Sequence, residues 1–131
     1  MIGSMEFALK KIILDIGSAA GTRKVNLIAV SKTKPIEAIL EAYKCGQRMF
    51  GENYVEEIVQ KYPLLPKDVQ WHFIGHLQSN KVKKLVAIPN LHIIESVDSY
   101  KLAHKINKEC SAISKTLRIL IEVNISNEKS I

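Results

Sequence analysis

The sequence predicts a parallel α/β sheet with its helices packed outside, and three observations predict it. Short apolar runs alternate with helical stripes along the 131-residue chain, as one α, then βα four times, then β. The runs end at glycine, proline or polar turns. Strict alternation also requires crossover connections, which are right-handed and lay each helix back on the sheet. Two architectures meet these conditions. One is a five-stranded doubly wound sheet. The other is part of a (β/α)8 barrel, whose complete form has eight strands and about 250 residues.

The elements follow in chain order. Leu9, Ile12, Ile13 and Ile16 recur at i, i+3, i+4 and i+7, which predicts an amphipathic helix over Phe7 to Ala20 with Gly21 as its stop. Leu27 to Val30 reads as a buried strand. Pro35 opens a helix striped by Ile36, Ile39, Leu40 and Tyr43 and ended by Gly46. Arg48 to Gly51 is a short second strand. Asn53 followed by Glu56 fits a capping box, with Asn in place of Ser or Thr, before a stripe of Val55, Ile58, Val59 and Tyr62. Pro63 and Pro66 break that helix. Val69 to Ile74 is a third strand, and Gly75-His76-Leu77-Gln78 turns into a helix beginning at Ser79 or Asn80. Leu91 to Glu95 is a fourth strand. Asp98 is expected to cap a helix running to about Cys110, and Leu117 to Val123 is the fifth strand.

Composition excludes several classes. The hydrophobic fraction of 47% and charged fraction of 24% are those of a globular domain. No apolar run approaches the ~18 residues of a membrane span, and the N-terminus lacks the pattern of a signal peptide. The two cysteines form no CxxC, and neither His72 nor His76 has metal-ligand spacing with Cys45 or Cys110, so no metal is expected. Reduced thiols suggest a cytoplasmic protein. A net charge of +6 favours anionic partners without identifying them. The tightest basic cluster, Lys81-Val82-Lys83-Lys84, lacks interleaved aromatics and reads as a solvated helix face.

The stretch that points to function is Ser31-Lys32-Thr33-Lys34-Pro35. It places a lysine at the C-terminal end of the first strand, where open α/β sheets and barrels put their ligands. It contains no glycine, which counts against a Rossmann or P-loop nucleotide site. The competing reading of Lys32 and Lys34 is that they are solvated loop lysines.

Five segments in order carry a resemblance. Ala29-Val30-Ser31-Lys32-Thr33-Lys34-Pro35, Phe50-Gly51-Glu52-Asn53-Tyr54, the run from Trp71 to Lys81, Glu95-Ser96-Val97-Asp98 and Glu122-Val123-Asn124-Ile125-Ser126 resemble the pyridoxal phosphate homeostasis protein family. The resemblance spans about residues 5 to 130. It implies the N-terminal part, about five strands, of a (β/α)8 barrel of the alanine-racemase type. It also implies a non-enzymatic carrier that holds pyridoxal 5′-phosphate (PLP) as a Schiff base on the lysine matching Lys32. Apo PLP-enzymes would be its recipients, and the family is usually described as monomeric. A Schiff base needs a neutral amine, so a nearby positive charge would help, and Lys34 is placed to supply it or to take the cofactor during transfer. Asn53, on the same rim, is expected to bond the cofactor's phenolic oxygen if it is not simply a cap. His76 lies just past the third strand on that rim, and His72 lies within the strand.

The chain departs from the family in length. It stops after the fifth strand, so the expectation is one PLP-binding barrel domain over residues 1–131, incomplete and without the C-terminal strands and the phosphate-binding segment. Weak binding and self-association through exposed sheet edges would follow. Two alternatives remain at this stage. A racemase-like PLP enzyme would need an acid/base residue that no position obviously supplies. A basic nucleic-acid module would rest on charge alone, and neither nucleic acid nor membrane is the expected partner.

Overall fold

The structure, a computed structural model, describes residues 3–129. Its elements are α1 (Ser4–Ala20), β1 (Ala29–Val30), α2 (Ile36–Lys44), β2 (Met49–Glu52), α3 (Val55–Lys61), β3 (Gln70–Phe73), α4 (Val82–Val86), β4 (Leu91–Val97), α5 (Tyr100–Ala112) and β5 (Arg118–Ile121). Single 3₁₀ turns cover Tyr62–Leu64 and Ser79–Lys81.

The topology decides between the two architectures. All neighbouring strands are parallel, and the sheet order is β1-β2-β3-β4-β5. Every crossover therefore steps in the same direction. Crossovers of one hand that all step one way lie on one face of the sheet, as in a barrel wall. A doubly wound sheet reverses direction once and covers both faces.

The covered face carries the core. Phe50, Trp71, Phe73, Leu91 and Ile94 project from the sheet onto Ile39, Ile58, Val82, Leu85, Leu102 and Ile106 of the helices, all of them buried. Phe50 and Trp71 meet at a tilt, with ring centroids 6.2 Å apart. Each such side chain contributes about 1.5–3 kcal/mol through burial. Glycines end two helices where the backbone turns left-handed, Gly21 at φ 61° and Gly46 at φ 101°.

Local differences from the sequence expectation have physical causes. The first strand starts at Ala29 rather than Leu27, because the Leu27 carbonyl accepts from Gln47 Nε2 at 2.7 Å instead of joining the ladder. The fourth strand runs on to Val97, so the following helix starts one residue later than expected. Ser99 is its cap, its Oγ accepting from the Leu102 N–H at 3.2 Å, and Asp98 is not. The capping box is absent as well. Tyr54, not Asn53, stands at the cap position of α3 without a side-chain bond, and Glu56 instead pairs with Lys81. Lys84 approaches the same carboxylate at 3.8 Å, so the basic cluster is a solvated face balanced by Glu56.

Candidate functional site

The C-terminal ends of the strands form a rim, and register fixes who stands beside whom there. Ala29 pairs with Phe50 and Val30 with Gly51, while Glu52 pairs with Phe73. One further step of each register sets Ser31 level with Glu52, and Asn53 level with Ile74, while Lys32 lies beyond, in the turn that follows β1. Faces follow from alternation. A methyl group added to Gly51 would meet Ile28 Cγ2 at 3.2 Å and Ile74 Cδ1 at 2.9 Å, so these three residues share the face that the helices leave open. Alternation from Gly51 carries Asn53 to that face; Lys32 stands in the turn after β1, where strand alternation no longer sets direction.

Lys32 is exposed at the corner of a tight turn. The Lys34 N–H closes the turn onto the Ser31 carbonyl at 3.1 Å. Beneath it lies a buried charged cluster that sequence reasoning missed. Lys61 Nζ donates to Glu52 Oε1 at 2.6 Å, to Glu57 Oε2 at 2.6 Å and to the Ser31 carbonyl at 2.9 Å. Ser31 Oγ donates to Glu52 Oε1 at 2.8 Å. Glu52 is wholly buried and Lys61 nearly so. Burial pushes the Glu52 carboxyl upward, and the bonds from Lys61 and Ser31 oppose that push. The one sequence signal was the i, i+4 spacing of Glu57 and Lys61 on a helix. Partners 21 and 30 residues apart left none.

Asn53 and His76 come together. Both line a cleft of about 410 Å³ with Tyr54, Glu56, Gln78 and Lys81, and a second of about 560 Å³ with Gly75, Ser96, Asp98 and Glu122. Asn53 Oδ1 is buried there without a hydrogen-bond partner. A buried acceptor in that state calls for a donor from outside the chain. His76 is exposed, with Nδ1 4.0 Å from Asp98 Oδ2. Lys34 is not brought to this place. It lines a separate apolar cleft of about 250 Å³ beside Met5, Ala38, Ile39 and Phe50.

His72 lies below the rim, on the open face opposite Gly51 and Ile93. Its Nδ1 is 2.6 Å from Glu95 Oε1, and its buried Nε2 has no partner. With Nδ1 as the donor, Nε2 is left an unsatisfied acceptor. His92 lies beside it with the rings tilted, centroids 5.4 Å apart, and Arg118 Nη1 approaches His92 Nε2 at 3.3 Å. Burial, then His72 and Arg118, hold the His92 imidazole below its ordinary value. The unfolded chain therefore binds the extra proton first. The stability tied to neutral His92 is present above about pH 6.5 and is lost as pH falls below it. Urea midpoints measured from about pH 7.5 to 5.5 should fall less steeply in His92→Gln than in the unsubstituted chain. Parallel slopes would contradict this assignment. Among the described residues no group of three or more His, Cys, Asp or Glu side chains is arranged to hold a metal ion, and no helix is long and apolar enough to cross a membrane.

Comparison with known proteins gives a consistent set of relatives. No family model matches the chain. A fission yeast (Schizosaccharomyces pombe) protein named pyridoxal phosphate homeostasis protein is 44% identical over 129 residues, covering 98% of this chain and 54% of its own length. The human protein of that name is 47% identical over 112 residues, covering 79% of this chain and 40% of its own. Among solved structures, PipY of Synechococcus elongatus PCC7942 without PLP matches with a TM-score of 0.86 and 34% identity, over 97% of this chain and 57% of PipY. PipY with PLP bound matches with a TM-score of 0.82 and 36% identity, over 93% of this chain and 55% of PipY. The chain spans about half the length of the curated relatives it matches.

Proposed function

The chain belongs to the pyridoxal phosphate homeostasis protein family, and from that premise we propose that it binds PLP at the open rim, with Lys32 as the covalent attachment point. The observation that carries this reading is the juxtaposition at the strand ends. A primary amine on the exposed turn after β1 stands at the same end of the sheet as Asn53, which follows β2 and whose buried amide oxygen has no partner. The donor set fits the cofactor. When bound, PLP would supply an aldehyde carbonyl, the group that a primary amine such as that of Lys32 would engage. Lys32 contributes that amine from the free corner of its turn. Asn53 accepts a hydrogen bond from a hydroxyl or N–H of the bound molecule, which satisfies its orphaned oxygen. His76 closes the same clefts from the β3 side. Lys34, facing its own cleft two residues on, acts as a neighbouring positive charge or as the relay amine that releases the cofactor to a recipient apo-enzyme.

The relatives are named for homeostasis of the cofactor rather than for a reaction on a substrate, which supports holding and delivery over turnover. Both cysteines are free thiols, which suits a reducing compartment, and we place the protein in the cytoplasm. The edge strands expose Val30, Leu120 and Ile121. Such apolar edges pair readily, so the chain is expected to elute in size-exclusion chromatography as more than a monomer. A monomeric elution volume at all concentrations would contradict that expectation.

Titration with PLP, followed by the visible absorbance of the adduct, tests the reading. The unsubstituted chain should saturate. Lys32→Ala should lose the band and at least about tenfold in affinity, because the covalent bond goes with the amine. An unchanged band in Lys32→Ala would overturn the assignment.

A further inference from the structure

The buried cluster under the Lys32 turn has no role in holding the cofactor directly, yet it grips the turn from below. Three of the four turn residues are tied through backbone or hydroxyl. The Ser31 carbonyl accepts from both the Lys34 N–H and Lys61 Nζ, and Ser31 Oγ bonds Glu52. The Thr33 N–H is shared between the two oxygens of Glu57, at 3.0 and 3.1 Å. The Lys32 side chain is left free: no hydrogen bond holds its ammonium among the described residues. Thr33 sits at φ 61°, at the turn position where a type II turn favours glycine. A β-branched residue there is strained and persists only where its surroundings impose it.

We propose that Lys61 and Glu57 are positioning residues for Lys32: the buried ammonium and the carboxylate it orients hold Thr33 in its left-handed conformation and so fix the direction in which the Lys32 amine leaves the rim. The inference rests on the PLP reading for its purpose, although its geometry is independent of the cofactor. Without the clamp, the turn relaxes to conformations that Thr33 prefers. The competent arrangement then becomes a fraction of the population, and apparent affinity falls by that fraction.

Glu57→Ala tests this, because Glu57 is half-buried and Lys61 keeps its bond to Glu52. Two readouts are needed. Amide hydrogen exchange at Thr33 and Lys34, measured without PLP, reads the turn. Titration with PLP reads its consequence. Glu57→Ala should speed exchange at both amides and weaken PLP binding by about tenfold. Adding Thr33→Gly to Glu57→Ala should recover most of that affinity, since glycine adopts the turn unaided. A merely structural role for Glu57 gives no such rescue. Lys61→Met combined with Glu52→Gln, which buries no lone charge, should reproduce the fast exchange and the loss. Affinity of Glu57→Ala within twofold of the unsubstituted chain, or a loss that Thr33→Gly does not rescue, overturns the proposal. If the unsubstituted chain takes up no PLP on Lys32, the functional reading fails, and exchange alone decides the clamp: unchanged protection of Thr33 in Glu57→Ala overturns it.

Discussion

Gly75→Ala is expected to destabilise the chain by at least about 3 kcal/mol, the upper range for overpacked sites. A methyl group at this position would lie 2.2 Å from the Asn53 carbonyl oxygen, 2.6 Å from its Cα and 2.8 Å from its carbonyl carbon. These are backbone atoms, so no side-chain rotation relieves the clash. The ends of β2 and β3 must separate instead. That separation breaks the Ile74 N–H bond to the Glu52 carbonyl, now 2.9 Å, and disturbs the Ser96 Oγ bond to the Gly75 carbonyl, now 2.5 Å. Asn53 moves with it, so whatever the rim binds should bind more weakly in any Gly75→Ala protein that still folds. Urea unfolding measures the first effect. A midpoint equal to that of the unsubstituted chain would show that the two strand ends are not in contact as described.

Glu52→Ala is expected to cost about 3–5 kcal/mol, for a different reason. Removing one member of a buried ion pair leaves the other charged and desolvated. Lys61 would keep Glu57, whose side chain is 24% exposed, but lose its fully buried partner. Ser31 Oγ would lose its acceptor as well. Glu52→Gln keeps an oxygen in place and should cost clearly less. Equal losses for the two variants would contradict the role given to the retained oxygen, and a loss under about 1 kcal/mol for Glu52→Ala would mean that the cluster contributes little to the fold.

How much of this was legible in the sequence depends on the range of the interaction. Helical stripes such as Leu9-Ile12-Ile13-Ile16 and the alternation of elements are local, and they led to five parallel strands and outer helices. Choosing between the barrel wall and the doubly wound sheet needed strand order, which no local pattern encodes. Lys32 was singled out because it follows the first strand within a recognisable motif. Asn53 stands just past β2, as its place after the second strand suggested. Its alternative role as a helix cap fails because the cap position of α3 falls one residue later, at Tyr54. Asp98 fails as a cap in the same way, since β4 runs on to Val97. The contacts of Glu52 with Ser31 and Lys61 were not legible, because the former joins two strands and the latter crosses from a strand to a helix. The i, i+4 spacing of Glu57 and Lys61 was the local trace that the cluster left.

The central claim is that Lys32 carries the cofactor, and one measurement meets it most directly. The chain is incubated with PLP, reduced with borohydride and digested, and the modified lysine is mapped by mass spectrometry. The account predicts a single dominant pyridoxyl label on Lys32, with Lys34 and the solvated lysines at Lys83 and Lys84 labelled only at background. Labels spread evenly over the surface lysines, or concentrated on any lysine other than Lys32, would contradict it.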